Sequence, residues 1–431
     1  MNNLNEKRAL EINSLVEIFK SGDMETVIIK SKELIKKYPT SATIFNLFAL
    51  ANKNIGNFQI AIDLYKELLI NNPENPMFLT NLANIYKDQG NWAKAEKYLK
   101  KALDTPHNTE NTYISLGNLY SQQNRSDECI EFFEKLLINN SIKEDKNISE
   151  LYFNLAESYR KKGLSFYDKA IEYYNLSNQP MTTTHGLECV YKAKDKEVFY
   201  KELGKISLEE EINPLLASIQ THASIRYDLP DNNLFCQSPF EYIYHSKLTA
   251  EEGFDTDLIK DINSYSSSLD FMPQKLLYNG NQSSGNIFSS NEPYIQKMKD
   301  IILSRIDGYR ENFKDSDSGF IKKWPSNFNI QGWIIDIKKG GNLKSHMHKL
   351  GWLSGSLYLN VPKKEDPSEG NIVFSLHGAD YPKNEKTFPS KEIDINKNDI
   401  VLFPSSIFHH TLPFNSEENR VTLAFDVKPK Y

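Results

Sequence analysis

The chain has 431 residues, of which 39% are hydrophobic and 25% charged, and a formal net charge of −6. At about 100 to 200 residues per domain this length calls for two or three domains, and the acidic balance argues against a general nucleic-acid binder, which needs a basic face to displace phosphate counterions. No run approaches the ~18 apolar residues of a membrane span, and the N-terminus opens on an amphipathic stretch rather than a signal core, so the chain is expected in the cytoplasm with neither nucleic acid nor membrane as partner.

A repeat is legible first. Gly22, Gly56, Gly90 and Asn124 recur every 34 residues, and Val27, Ala61, Ala95 and Cys129 follow with the same period. Leu82-Ala83 with Tyr86, Leu116-Gly117 with Tyr120, and Leu155-Ala156 with Tyr159 supply matching positions one helix earlier, and Pro39 and Pro73 end two of the units. Small residues at fixed places let paired helices approach closely, while the Leu and aromatic positions fill the space between neighbouring units. The pattern resembles the tetratricopeptide repeat, a helix-turn-helix unit of 34 residues. About five units are expected within residues 1–180, the fifth displaced by an insertion around Ile142 to Asn147. The resemblance implies a concave groove able to receive a protein or peptide partner.

Residues 181–228 read as a helical connector without the period, with two short helices over Lys192 to Ala217 and a helix start at Asn213-Pro214. The turn residues Tyr227 to Asn233 mark the entry to a second domain, residues 229–431. Asn279 to Asn286 reads as a polar, glycine-rich loop that lacks the Lys-Ser/Thr pair of a P-loop, and Pro293 to Phe313 as a helix. Beyond Trp324 the period falls to two. Strands are expected at Gln331 to Lys338, Leu353 to Val361, Asn371 to Leu376, Lys391 to Ile395, Asp399 to Phe403 and Arg420 to Lys428, the short, evenly spaced strands of a double-sheet jelly roll.

The chemistry gathers in that stretch. Cys129, Cys189 and Cys236 are scattered and read as reduced thiols, but five of the nine histidines fall between His346 and His410. His346 and His348 share a face if the segment is extended, and His409 returns about 60 residues later. Imidazoles suit Fe(II), Zn(II), Ni(II) or Cu(II), so the donor type alone selects no metal. Arg420 and Thr422 share a face of the last strand, where a guanidinium fork and a hydroxyl can hold one carboxylate; the Tyr358 ring either reaches the same ligand with its hydroxyl or packs in the core. His410 is expected to face away, and His377 to be a loop residue.

His346-Met347-His348 running into Gly351-Trp352-Leu353-Ser354-Gly355, then Leu357-Tyr358-Leu359, Phe403-Pro404-Ser405-Ser406 with His409 and Pro413-Phe414, and Arg420 through Phe425-Asp426 resemble the 2-oxoglutarate/Fe(II)-dependent oxygenases often fused to tetratricopeptide repeats. The resemblance implies an α + β multidomain chain: a helical repeat solenoid followed by a double-stranded β-helix (jelly roll) with flanking helices. It also implies a dioxygenase using Fe(II) and 2-oxoglutarate, with His346, His348 and His409 as metal ligands, Arg420, Thr422 and Tyr358 toward the co-substrate, and hydroxylation of a protein or peptide as the outcome. One departure stands out, because the usual triad places Asp or Glu where His348 stands. The third ligand is therefore open between His348, a water, and Asp380, Asp394 or Asp399. Two other classes compete: a repeat scaffold carrying an inactive roll, and a three-histidine cupin that uses no 2-oxoglutarate.

Overall fold

The computed structural model of the protein describes residues 2–207, 212–269, 271–290 and 292–430. They form two compact units, Met1–Lys162 with Ser289–Asn291, and Gly163–Phe288 with Glu292–Tyr431.

The first unit is helical: α1 (Asn2–Ser21), α2 (Met24–Lys37), α3 (Ala42–Asn54), α4 (Phe58–Asn71), α5 (Pro76–Asp88), α6 (Trp92–Leu103), α7 (Glu110–Gln122), α8 (Ser126–Ile138) and α9 (Asp145–Lys162). The recurring turn residue has a backbone reason. Gly22, Gly56, Gly90 and Asn124 stand at φ of 87°, 84°, 73° and 58°, a left-handed region open to glycine and tolerated by Asn. Two of the four helices that follow are capped by a side chain: Asp23 accepts from the Thr26 amide at 3.0 Å and Asn91 from that of Lys94 at 3.3 Å. Val27, Ala61, Ala95 and Cys129 are all fully buried. The small residue at Gly117 is compulsory, since a Cβ there would lie 1.8 Å from the Phe133 ring.

The second unit opens with helices α10 (Tyr167–Leu176), α11 (Thr182–Ala193), α12 (Lys196–Leu203) and α13 (Pro214–Tyr227). As the sequence predicts, Asn213 caps α13, accepting from the Leu216 amide at 2.9 Å with Pro214 in the first turn. Asp228, at φ 51°, ends the helix. Ten strands follow: β1 (Tyr244–Lys247), β2 (Phe271–Pro273), β3 (Leu277–Ser283), β4 (Phe328–Leu343), β5 (Leu353–Asn360), β6 (Ile372–Ser375), β7 (Ser390–Ile393), β8 (Asp399–Pro404), β9 (Phe408–Thr411) and β10 (Arg420–Pro429), with α14 (Thr256–Ser268), α15 (Pro293–Asn312) and α16 (Gly319–Lys322) among them. One antiparallel sheet has the order β1-β8-β5-β10-β4-β3-β2 and a second has β7-β6-β9. From β5 the chain passes to the small sheet for β6 and β7, returns to the large sheet for β8, crosses again for β9 and comes back for β10, the winding of a double-sheet roll.

Period two divides the large sheet cleanly. Leu423, Phe425 and Val427 of β10, Leu353, Leu357 and Leu359 of β5, and Ile400 and Leu402 of β8 form the outer face, packed with Ile295, Met298, Ile302 and Ile306 of α15 and Leu258 and Ile262 of α14. Each such side chain contributes about 1.5 to 3 kcal/mol by leaving water. The alternate residues, Arg420, Thr422, Ala424 and Asp426 on β10 opposite Tyr358, Ser356 and Ser354 on β5, are left for the inner face.

Two expectations need correction. Much of Asn279 to Asn286 is not loop but the strand β3, paired to β4; its polar residues suit a lightly buried strand, and at Gly280 the backbones run so close that a Cβ would lie 2.9 Å from the Asp336 carbonyl oxygen. His409 lies outside the six expected strands, on a separate strand, β9, paired to β6 in the second sheet. No helix among the described residues is long and apolar enough to cross a membrane.

Candidate metal centre

The centre is built where the two sheets meet. After β4 the chain crosses to the second sheet, and His346 forms an isolated antiparallel bridge with His409: the His409 amide donates to the His346 carbonyl at 2.8 Å and the His346 amide to the His409 carbonyl at 3.1 Å. Two imidazoles 63 positions apart in number are thereby locked by backbone. The His348 amide donates to the Ser405 carbonyl at 3.2 Å, which keeps the segment extended enough for His346 and His348 to share a face.

The outer ring nitrogens decide the tautomers. His346 Nδ1 lies 2.8 Å from the Lys344 carbonyl oxygen and His409 Nδ1 3.4 Å from that of Ile407. His348 Nδ1 lies 2.5 Å from Asp426 Oδ1. A carbonyl or carboxylate oxygen only accepts, so each Nδ1 carries the proton and each Nε2 presents a lone pair. His346 and His348 Nε2 are 3.2 Å apart, and the three residues offer ligand atoms all within 4.8 Å of one another. With metal–nitrogen bonds of ~2.1 Å, ligand atoms at a right angle lie ~3.0 Å apart and at a tetrahedral angle ~3.4 Å. Lone pairs this close repel unless a cation stands between them, so the arrangement fits a metal ion.

The electrostatics point the same way. Burial, and then the neighbouring His348, hold His346 down to about 4; burial and both partner imidazoles hold His409 well below the ordinary histidine range. These two rings are therefore neutral near pH 7, the form that ligates. Burial pushes the Asp426 carboxyl up, but His348, then Lys428 and Ser354, more than offset it and leave it below its ordinary value. Phe403 and Phe374 flank His409, with ring centroids 4.8 and 6.2 Å away, and Trp333 lies 5.8 Å from the His348 ring.

Further along the same face of β10 lies a second polar group. Arg420 is 3% exposed, its guanidinium is 5.1 Å from the centre of the Tyr358 ring, and Thr422 is in register with Tyr358. Arg420 Nε is buried with no hydrogen-bond partner, and no carboxylate pairs with Arg420 among the described residues. A buried guanidinium without an anion is unstable in isolation. An added carboxylate would satisfy it.

The structure thus brings His346, His348 and His409 together, and Arg420, Thr422 and Tyr358 together. It leaves the acids considered as substitutes out of the cluster: Asp399 accepts from His245 Nε2 at 2.9 Å, Lys364 donates to Asp394 at 2.5 Å, and Asp380 is exposed. His410 is half-buried, its Nδ1 without a partner, and His377 follows β6 and meets His222 instead. The sequence reading gave no role to Asp426, Ser354 or Ser405; Asp426 was findable, lying two strand periods beyond Thr422 on the same face as Arg420.

Residues 331–426 match the family model described as "Putative 2OG-Fe(II) oxygenase", and residues 76–137 match that of the tetratricopeptide repeat. Protein O-mannosyl-transferase TMTC1 of Homo sapiens is 28% identical over 126 residues, which are 29% of this chain and 14% of that protein, so the chain spans a small part of that relative's length. Among solved structures, pilF of Pseudomonas aeruginosa is 17% identical with a TM-score of 0.39, covering 52% of this chain and 93% of that one. HygX from Streptomyces hygroscopicus, with nickel and 2-oxoglutarate bound, is 12% identical with a TM-score of 0.32, covering 44% and 83%. A Pseudomonas putida prolyl-4-hydroxylase is 14% identical with a TM-score of 0.31, covering 44% and 93%.

Proposed function

We propose that this chain, which carries tetratricopeptide repeats in its first unit and a match to the 2OG-Fe(II) oxygenase family in its second, is a 2-oxoglutarate- and Fe(II)-dependent dioxygenase that hydroxylates a protein or peptide substrate recruited by the repeats. The observation that carries this reading is a pairing inside one roll: three imidazoles whose Nε2 atoms converge, and a buried guanidinium with an unpartnered Nε.

In this reading His346, His348 and His409 hold iron(II) through Nε2, while Arg420, with Thr422 and the Tyr358 hydroxyl, holds the far carboxylate of 2-oxoglutarate. Bound together with O2, these groups supply the oxidation of an unactivated C–H bond, releasing succinate and CO2. The protein's part is positional. The Nδ1 hydrogen bonds of the three histidines fix their tautomers before any metal arrives, so binding requires no ring rotation. Arg420 offers a planar, permanently charged fork that accepts a carboxylate through two parallel hydrogen bonds. Phe374, Phe403, Ile335 and Phe414 are buried apolar residues of the roll's interior and exclude water from the reacting groups. Stacked helical repeats present extended surfaces suited to a peptide chain, which supports a macromolecular substrate.

The test is Fe(II)-dependent conversion of 2-oxoglutarate to succinate by the full chain, compared with His409→Ala and Arg420→Ala. Turnover is expected in the wild type, with loss in His409→Ala at any 2-oxoglutarate concentration and in Arg420→Ala at concentrations near the wild-type KM; turnover surviving both changes would place the chemistry elsewhere.

A further inference from the structure

We propose that Asp426 acts through His348 to supply the negative charge that a three-histidine iron site lacks, and that it thereby sets the metal affinity of the centre as a positioning residue. The inference rests on the metal-binding reading above and deepens it.

The three imidazoles are not equivalent. His346 and His409 donate Nδ1–H to neutral backbone carbonyls, those of Lys344 and Ile407. His348, the ligand that stands where an acid is expected, donates to a carboxylate, at 2.5 Å. Asp426 is 3% exposed, and its Oδ1 also accepts from the Ser354 hydroxyl at 2.8 Å. Ser354 in turn lies 2.7 Å from the Ser405 hydroxyl and 3.2 Å from His348 Nδ1. The register places Asp426 directly opposite Ser354, so the contact follows from the strand pairing and not from a chance rotamer. The surroundings are shaped to admit it: a Cβ at Gly351 would lie 2.6 Å from Ser405 Oγ and 3.2 Å from Asp426 Cγ. Gly351 is what lets the carboxylate, the serines and the ligand segment close together.

Charge gives this cradle its purpose. Iron(II) held by three neutral imidazoles carries one more positive charge than iron(II) held by two imidazoles and a carboxylate. Asp426 restores the balance one hydrogen bond away from the metal, where it fixes the His348 tautomer and makes Nε2 a stronger donor. In the other direction, a buried carboxylate is costly without a cation, and a metal on His348 provides one. Removing the acid from the ligand position and burying one behind it are parts of the same arrangement.

The experiment titrates the metal-free full chain with Co(II), following the visible ligand-field bands, and measures the Fe(III)/Fe(II) potential of the iron-loaded protein. Asp426→Asn keeps the acceptor oxygen and the volume but removes the charge, and is expected to weaken Co(II) binding roughly 10- to 100-fold and to raise the potential. The double variant His348→Asp with Asp426→Asn moves the charge to the ligand position and is expected to recover most of the lost affinity. A purely structural role for Asp426 predicts no such recovery. Ser354→Ala, which leaves the charge but loosens its orientation, is expected to weaken binding in the same direction by less, and keeps the inference open to test if Asp426→Asn fails to fold. Unchanged Co(II) affinity in folded Asp426→Asn, unchanged affinity in Ser354→Ala, or no recovery in the folded double variant overturns the inference while leaving the metal site standing. If the wild type itself takes up no Co(II), the metal reading falls and this inference falls with it.

Discussion

The second unit holds two clusters of imidazoles that look alike until their hydrogen bonds are followed. In one, His346 and His348 approach with Nε2 atoms 3.2 Å apart and His409 beside them. In the other, His222 Nε2 lies 2.8 Å from His377 Nδ1, and His222 Nδ1 lies 2.5 Å from the Tyr191 hydroxyl. Phe388 stacks on His222 with centroids 4.2 Å apart, and Tyr381 meets it edge-on at 5.1 Å. Whichever way the protons run along the chain Tyr191, His222, His377, both nitrogens of His222 are consumed. In the first cluster every Nδ1 is tied outward and every Nε2 is left over. Proximity of histidines is thus no mark of a metal site; the mark is a set of lone pairs converging with nothing to receive them.

The contrast is broken most severely by truncating one member of each cluster. His409→Ala is expected to abolish stoichiometric Co(II) binding, whereas His222→Leu leaves it intact, as equilibrium dialysis of the two proteins will show. Arg420→Ala tests the other end of the inner face. It should leave metal uptake unchanged while raising the 2-oxoglutarate requirement roughly a hundredfold, the scale of an anion losing a buried charged partner; a KM within a few-fold of the wild type would mean that the guanidinium faces no co-substrate. His222→Leu has a smaller and different effect. By stripping partners from the Tyr191 hydroxyl and His377 it should destabilise the fold by about 1 to 3 kcal/mol, read as a shift in the midpoint of urea unfolding with the metal site still competent.

Most of this architecture was legible because it follows short-range rules. The repeat announced itself through left-handed turn residues at a fixed period, and period-two alternation placed six of the strands within a few residues of their ends. His346 and His348 were legible for the same reason, since spacing two on an extended segment implies one face. What escaped depended on pairing across the fold. His222 sits on α13, 155 positions from its partner His377, and no local pattern connects a helix to a loop between strands. β3 was missed because its Asn and Gly residues signal turns, while its pairing to β4 is a property of the partner strand. Asp426 had a visible face but no visible neighbour, because only the register of β5 against β10 brings it to Ser354 and His348.

The two clusters should also differ in how acid affects them, and the sign can be worked out. Burial, followed by the neighbouring His377 and then the charges of Arg226 and Lys192, holds His222 down to about 3, against about 6.5 for an unfolded histidine. Between those values the unfolded chain binds a proton that the native chain refuses, so stability rises with pH across the window. The contribution is complete above about 6.5 and is lost as pH falls toward about 3. His346, held near 4, acts in the same sense in the metal-free protein, so the wild-type slope has more than one source. His222→Leu removes one of them. Urea unfolding of metal-free protein between pH 4 and pH 7 should therefore give a shallower dependence of stability on pH in His222→Leu than in the wild type. Equal slopes would mean that the folded protein protonates His222 as readily as the unfolded chain does, and the chain from Tyr191 to His377 could not then be the closed, neutral network that distinguishes it from the metal centre.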